Sequence, residues 1–125
     1  IAQKASLTAI ASDLYPTVEM KNDFKKRRDA AYKLLKEIPG LECNLPEGAF
    51  YFFPKINSYF GKTDEKTVIK NADDICMYLL NEAKVSSVTG NAFGAEGYFR
   101  ISYATKEENL VEAIKRIKEA LSKLH

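Results

Sequence analysis

Arg100 is the residue of this chain that most asks for chemistry. It stands inside "GYFRISYA" (residues 97–104), among the aromatic and β-branched residues that favour a strand. A guanidinium stays charged in proteins and is costly to bury alone. Its planar fork suits one task well, two parallel hydrogen bonds to a carboxylate or phosphate. Strand alternation puts Tyr98, Arg100 and Ser102 on one face and Phe99, Ile101 and Tyr103 on the other. The second set is expected to pack against a helix, and the first to meet something polar. From the residues alone two readings stay open. Arg100 holds a ligand, or it is spent on an internal ion pair or points to solvent from an edge strand.

Other chemistries lack their parts. The only histidine is the last residue, His125, and the two cysteines, Cys43 and Cys76, have no metal-type spacing. A zinc site, a Cys/His pair and a Ser/His/Asp triad are therefore not expected, and no catalytic or metal-binding residue is assigned. Cys76 lies in an apolar helical run and reads as a small core residue. Gly90, Gly94 and Gly97 form neither G-x-G-x-x-G nor a P-loop, and they precede a strand instead of opening a helix. Formal net charge is +2, from 19 basic and 17 acidic residues, which gives no electrostatic case for nucleic acid or an anionic membrane. The one basic run, "KKRR" (Lys25 to Arg28), falls in a helical segment and reads as a solvated face. No apolar run approaches the length of a membrane span and no signal-peptide pattern opens the chain, so a cytoplasmic setting is expected.

The elements that must position Arg100 follow from periodicity and punctuation. At 125 residues with 46% hydrophobic content, one domain with a working core is expected. "IAQKASLTAIAS" reads as a short helix or the tail of one, and its start without methionine or cap predicts a piece of a longer chain. Met20, Phe24, Ala31, Leu34, Leu35 and Ile38 follow a helical repeat. That predicts a long helix over 17–38, with Thr17 as N-cap and Pro39-Gly40 as its stop. Leu41 to Asn44 reads as a short edge strand. Ala49 to Phe53 reads as a strand covered on both faces, because its apolar residues do not alternate. Residues 55–70 show no firm period and read as a loop with room for a turn of helix, a functional segment or a variable insertion. Asn71 caps a predicted helix to about Ala83, with Asp74 as capping-box partner and Ile75, Tyr78 and Leu79 inward. Val85 to Gly90 reads as a strand and turn, "NAFGAEG" as a loop, and 98–104 as a strand. Thr105 and Glu108 fit a capping box, and Leu110, Ala113, Ile114, Ile117, Leu121 and Leu124 form the stripe of a last helix. The sum is a two-layer α+β domain, a small sheet covered by helices.

Two stretches carry a resemblance. "PEGAFYFFPKI" (residues 46–56) and "VTGNAFGAEGYFRISYATKEENLVEAIKRI" (residues 88–117) resemble the C-terminal small domain of class I, fold-type I, pyridoxal-phosphate-dependent aminotransferases, of the aspartate aminotransferase type. That family shows a Pro-x-Gly-Ala-Phe-Tyr strand, a Val-x-Pro-Gly-x-x-Phe-Gly loop, then Arg-x-Ser on a strand and Ala-Thr-x-Glu-Asn opening a helix. "AQKASLTAI" and "FKKRRD" are similar to the end of the large domain and the linking helix. The resemblance implies residues 1–15 as that end or linker and 16–125 as the small domain. It implies that Arg100 binds the α-carboxylate of an amino-acid substrate, and that Phe50 and Tyr51 line the cleft beside it. As residues, the two aromatics read equally well as core. It implies amino-acid and 2-oxo-acid substrates, aspartate first among them, and a homodimer when full length. It also implies pyridoxal phosphate as cofactor, held by a large domain that carries the catalytic lysine, so no cofactor-binding residue is assigned and the chain alone is expected to be inactive. The competing expectation is a stand-alone, non-catalytic ligand-binding or regulatory module of the same fold. One departure stands out: Thr89 occupies the family's proline position, which is expected to loosen the turn.

Overall fold

A computed structural model describes residues 1–125. Helix α1 (Ala2–Ala11) leads into the long helix α2 (Tyr15–Lys36). Strand β1 (Tyr51–Phe52), helix α3 (Ala72–Tyr78), strands β2 (Val88–Thr89) and β3 (Phe99–Ser102), and helix α4 (Glu107–Ser122) follow. The sheet is antiparallel in the order β1-β3-β2, so the arginine-bearing strand lies in the middle. Tyr51 pairs with Ser102 and Phe52 with Ile101, while Val88 pairs with Arg100 and Thr89 with Phe99. With four helices and this small sheet, the architecture is the expected α+β one.

The alternation on β3 holds. Phe99, Ile101 and Tyr103 are buried, and Tyr98, Arg100 and Ser102 are not. The packed face meets Ala31 and Leu35 from α2, Ile38 from the turn just after it, and Leu110, Ile114, Ile117 and Leu121 from α4 in one core cluster. Each leucine or isoleucine among them contributes about 1.5–3 kcal/mol on full burial. The α4 stripe is as expected, except that Ala113 is only partly buried and Ala120 joins the core. Tyr78 ties α3 to α4 through a hydroxyl that donates to the Ala120 carbonyl at 3.1 Å.

Several expectations need correction. Helix α2 begins at Tyr15, not after Thr17, and Pro16 sits in its first turn, where its missing N–H has no helical acceptor anyway. The Tyr15 N–H donates to Asp13 Oδ1 at 3.0 Å. Residues 1–23 are all exposed, so Met20 adds nothing to the core and α2 packs only from Phe24 onward. Leu41 to Asn44 is no strand but one bridge, Glu42 with Lys55. The strand at 49–53 shrinks to two residues and is not covered on both faces, because Phe50 is 53% and Tyr51 39% exposed. Residues 55–70 do hold the turn of helix within their loop, and the loop is packed. A 3₁₀ turn at Asn57–Tyr59, buried Ile56, Tyr59 and Ile69, and paired backbone bonds between Thr63 and His125 pin them down.

Two caps also differ. Asn71 caps α3 as expected, accepting from the Asp74 N–H at 3.0 Å, but Asp74 returns its carboxylate to the Lys70 N–H at 2.9 Å. Helix α3 ends at Tyr78 and continues as a π-turn over Leu79–Ala83. Thr105 does not cap α4. The helix starts one residue later, with Lys106 in the cap position and no side-chain bond, so Glu108 falls too early to close the box. The strand and turn expected over 85–90 both form, the strand shortened to Val88–Thr89 and the turn a 3₁₀ one opening at Gly90.

Candidate functional site

The sheet face opposite the core carries Arg100, and what surrounds it decides which reading stands. Its guanidinium carbon lies 5.4 Å from the Tyr51 ring centroid and 4.9 Å from that of Phe93. Tyr51 reaches it diagonally from β1, two positions from its direct partner Ser102. None of the chain's five ion pairs includes Arg100, and neither does any of its side-chain hydrogen bonds. The internal ion pair is therefore absent, and a central strand is not an edge. What remains is a half-buried cation between two aromatic faces, with its N–H donors unspent on this chain. Rings attract a guanidinium by its face and leave its in-plane N–H edge available.

The loop that brings Phe93 there is tightly set. Gly90 is buried, and a Cβ at that position would stand 2.2 Å from the Ala95 carbonyl and 2.5 Å from that of Tyr98. Only glycine fits so close a backbone approach. The Gly90 N–H donates to the Tyr98 carbonyl at 2.8 Å, and the Ala95 N–H to the Gly90 carbonyl at 3.0 Å. Thr89 does not loosen this turn. Its φ of −60° and ψ of 142° are those a proline would take, and its Oγ1 accepts from the Asn91 N–H at 3.3 Å. Asn91 Nδ2 then donates to Asp73 Oδ2 at 3.2 Å, which ties the loop to α3.

Of the three residues marked from the sequence, the structure brings Tyr51 and Arg100 together. Phe50 meets the Tyr51 ring edge-on at 6.4 Å but not Arg100; it turns to the Phe24 ring at 6.2 Å and, with Tyr103, lines a groove of about 320 Å³. Phe93 escaped the sequence reading although it sits in the matched loop pattern. Its signal was an aromatic residue next to a glycine loop, which alone does not say which way the ring turns. Phe53 and Tyr98 extend the aromatic face, stacked at 5.3 Å, and Phe93 meets the Phe53 ring edge-on at 5.9 Å.

The residues present do not make a seat for pyridoxal phosphate. None of the chain's lysines is buried, so no amine is held in the enclosed, dry setting that covalent attachment needs. Lys21, Lys25 and Arg28 line the groove by Phe50, but the Arg28 fork is already given to Asp29 and the Pro46 carbonyl. No three His, Cys, Asp or Glu side chains converge as a metal site would require. Burial pushes the Cys43 thiol up to about 11 and raises that of Cys76 as well, which keeps both protonated and unreactive.

The sequence and the fold have counterparts among known proteins. The family model for class I and II aminotransferases matches residues 1–117. A probable aspartate/prephenate aminotransferase of Rickettsia felis is 54% identical over 99 residues, 78% of this chain and 24% of that protein. The solved aspartate aminotransferase of Rhizobium meliloti superposes with a TM-score of 0.93 at 43% identity, covering 98% of this chain and 31% of that one. The alanine aminotransferase of Pyrococcus furiosus does so with a TM-score of 0.85 at 34% identity, over 97% and 29%. The chain thus spans about a quarter to a third of the proteins it matches. With the family's model matched from Ile1 to Ile117, this chain belongs to the class I and II aminotransferases.

Proposed function

We propose that this chain supplies the carboxylate clamp of an amino-acid aminotransferase, and that Arg100 is the clamp. One observation carries the reading: a cation fixed on the central strand between Tyr51 and Phe93, with no acidic partner in its own chain. The fork takes the α-carboxylate of the substrate by two parallel bonds and so orients the amino end. Enzymes of this family use pyridoxal phosphate, which acts as the electron sink of the reaction when bound. On this reading the cofactor is held by parts of the whole protein outside these residues. The relatives' names make aspartate the first substrate to try and prephenate the second, with a 2-oxo acid as the other partner. The same reading takes the whole protein as a cytoplasmic homodimer whose small domain closes over the cleft and excludes water.

The test is Arg100→Ala in the whole protein. Leaving a carboxylate unpaired in a partly dried site costs about 2–5 kcal/mol, so kcat/KM should fall roughly 30- to 3000-fold. Arg116→Ala is the control, since that side chain pairs only with Glu112 on the exposed face of α4. If both variants behave alike, Arg100 is structural and the clamp reading is wrong. The 125-residue chain alone, given pyridoxal phosphate, aspartate and 2-oxoglutarate, should show no turnover above the free cofactor. Turnover would refute the assignment of the cofactor to other residues.

A further inference from the structure

We infer that Phe93 is a positioning residue, one that holds the Arg100 guanidinium in place for an incoming carboxylate. The inference rests on the clamp reading above and adds a residue to it. An arginine without an ion pair keeps much side-chain rotamer freedom, which a bidentate contact must otherwise suppress on binding. Tyr51 from the sheet and Phe93 from the loop cover the guanidinium at 5.4 and 4.9 Å, so the side chain is ordered before a ligand arrives. Phe93 has no burial to explain it. It is 50% exposed, and its other ring neighbour is Phe53. Yet the loop that carries it is held on its N-terminal side by the Gly90 approach, the Thr89 turn and the Asn91–Asp73 bond. A rigid loop that presents an exposed ring to a cation is an arrangement for orientation, because the ring adds little to the core.

The experiment compares Phe93→Ala, Phe93→Leu and Phe93→Tyr in the whole protein, each alone and with Arg100→Ala. Loss of the aromatic face should raise KM for the amino-acid substrate about 3- to 10-fold while kcat stays within about twofold, as expected for one ring–cation contact. Leu keeps the bulk without the face and should behave as Ala, whereas Tyr should restore wild-type KM. In the Arg100→Ala background, Phe93→Ala should add nothing, because its effect passes through the arginine. Melting temperatures of the Phe93 variants should match wild type. An unchanged KM in Phe93→Ala beside a raised one in Arg100→Ala overturns the positioning role and leaves the clamp standing. So does a Phe93→Ala effect that persists undiminished without Arg100. An Arg100→Ala variant with normal KM overturns the clamp itself, and the positioning role with it.

Discussion

Arg100 shows how far a single residue type can be read. Its place on a β-forming stretch and its face of the strand were legible, because period-2 alternation is local and the flanking Phe99, Ile101 and Tyr103 fix the phase. Whether it had an acidic partner was not legible. That depends on which carboxylates the fold brings near, and here Glu42, Asp29, Glu37, Glu112 and Asp23 all go to other cations. The aromatic neighbours divide along the same line. Tyr51 was readable as a residue of the adjoining strand, whereas Phe93 depends on a loop geometry that only the Gly90 approach to Ala95 and Tyr98 reveals. Thr89 misleads when judged by type alone. It lacks the ring that fixes proline, but it adopts the same backbone angles and replaces stiffness with a hydroxyl that accepts from Asn91.

Elements were legible where periodicity ran long. Helix α4 carries five buried apolar residues on a 3.6-residue repeat, and the core half of α2 obeys the same rule. The two-residue strands were over-read, since their extent is set by partners distant in sequence, and apolar residues at 49–53 continue past the pairing. Helix starts at α2 and α4 were read least well, whereas the helical run from Asn71 ends at Ala83 as expected, and that end carries strain. The α3 helix leaves its π-turn through Lys84, a non-glycine residue at φ 55°, ψ 36°, in the left-handed region. That conformation costs an L-residue roughly 1–2 kcal/mol, and glycine is the usual occupant of such a terminus. Lys84→Gly should therefore stabilise the chain by about 0.5–1 kcal/mol, after allowing for the greater freedom of unfolded glycine. The lost bond from Lys84 Nζ to the Asn81 carbonyl is exposed and subtracts little. Thermal unfolding should show a melting temperature raised by ~2–5 °C. A lower one would mean that the lysine contact outweighs the strain.

At the scale of the whole molecule, the core holds phenols and has thiols packed against it, all sheltered from water. Burial is the first cause that raises Cys43, Cys76, Tyr59, Tyr78 and Tyr103 above their ordinary values, 9.0 for the thiols and 10.0 for the phenols. Cys43 is pushed to about 11. The Asp73 charge adds to the rise of Cys76 while the Ser87 hydroxyl opposes it, and Asp64 and Glu82 add to that of Tyr78. The phenols of Tyr59, Tyr78 and Tyr103 donate to the carbonyls of Pro39, Ala120 and Ala49, and so join segments far apart in sequence. Each group has a folded pKa above its unfolded one, so the stability it lends is fully present below about pH 9. As pH rises past that, the unfolded chain gives up protons first, the folded chain holds more of them, and stability falls. Asp64 runs the other way. Bonds from the Thr67 and Lys66 N–H groups lower its pKa, so its small contribution is lost only in acid. The denaturant midpoint of the chain should therefore be level near neutral pH and decline steadily from about pH 9 to 11. Cys43→Ala removes the group with the largest rise and should delay the onset of that decline. A midpoint that stays level or climbs over the same range would show that these groups are open to water in the folded chain.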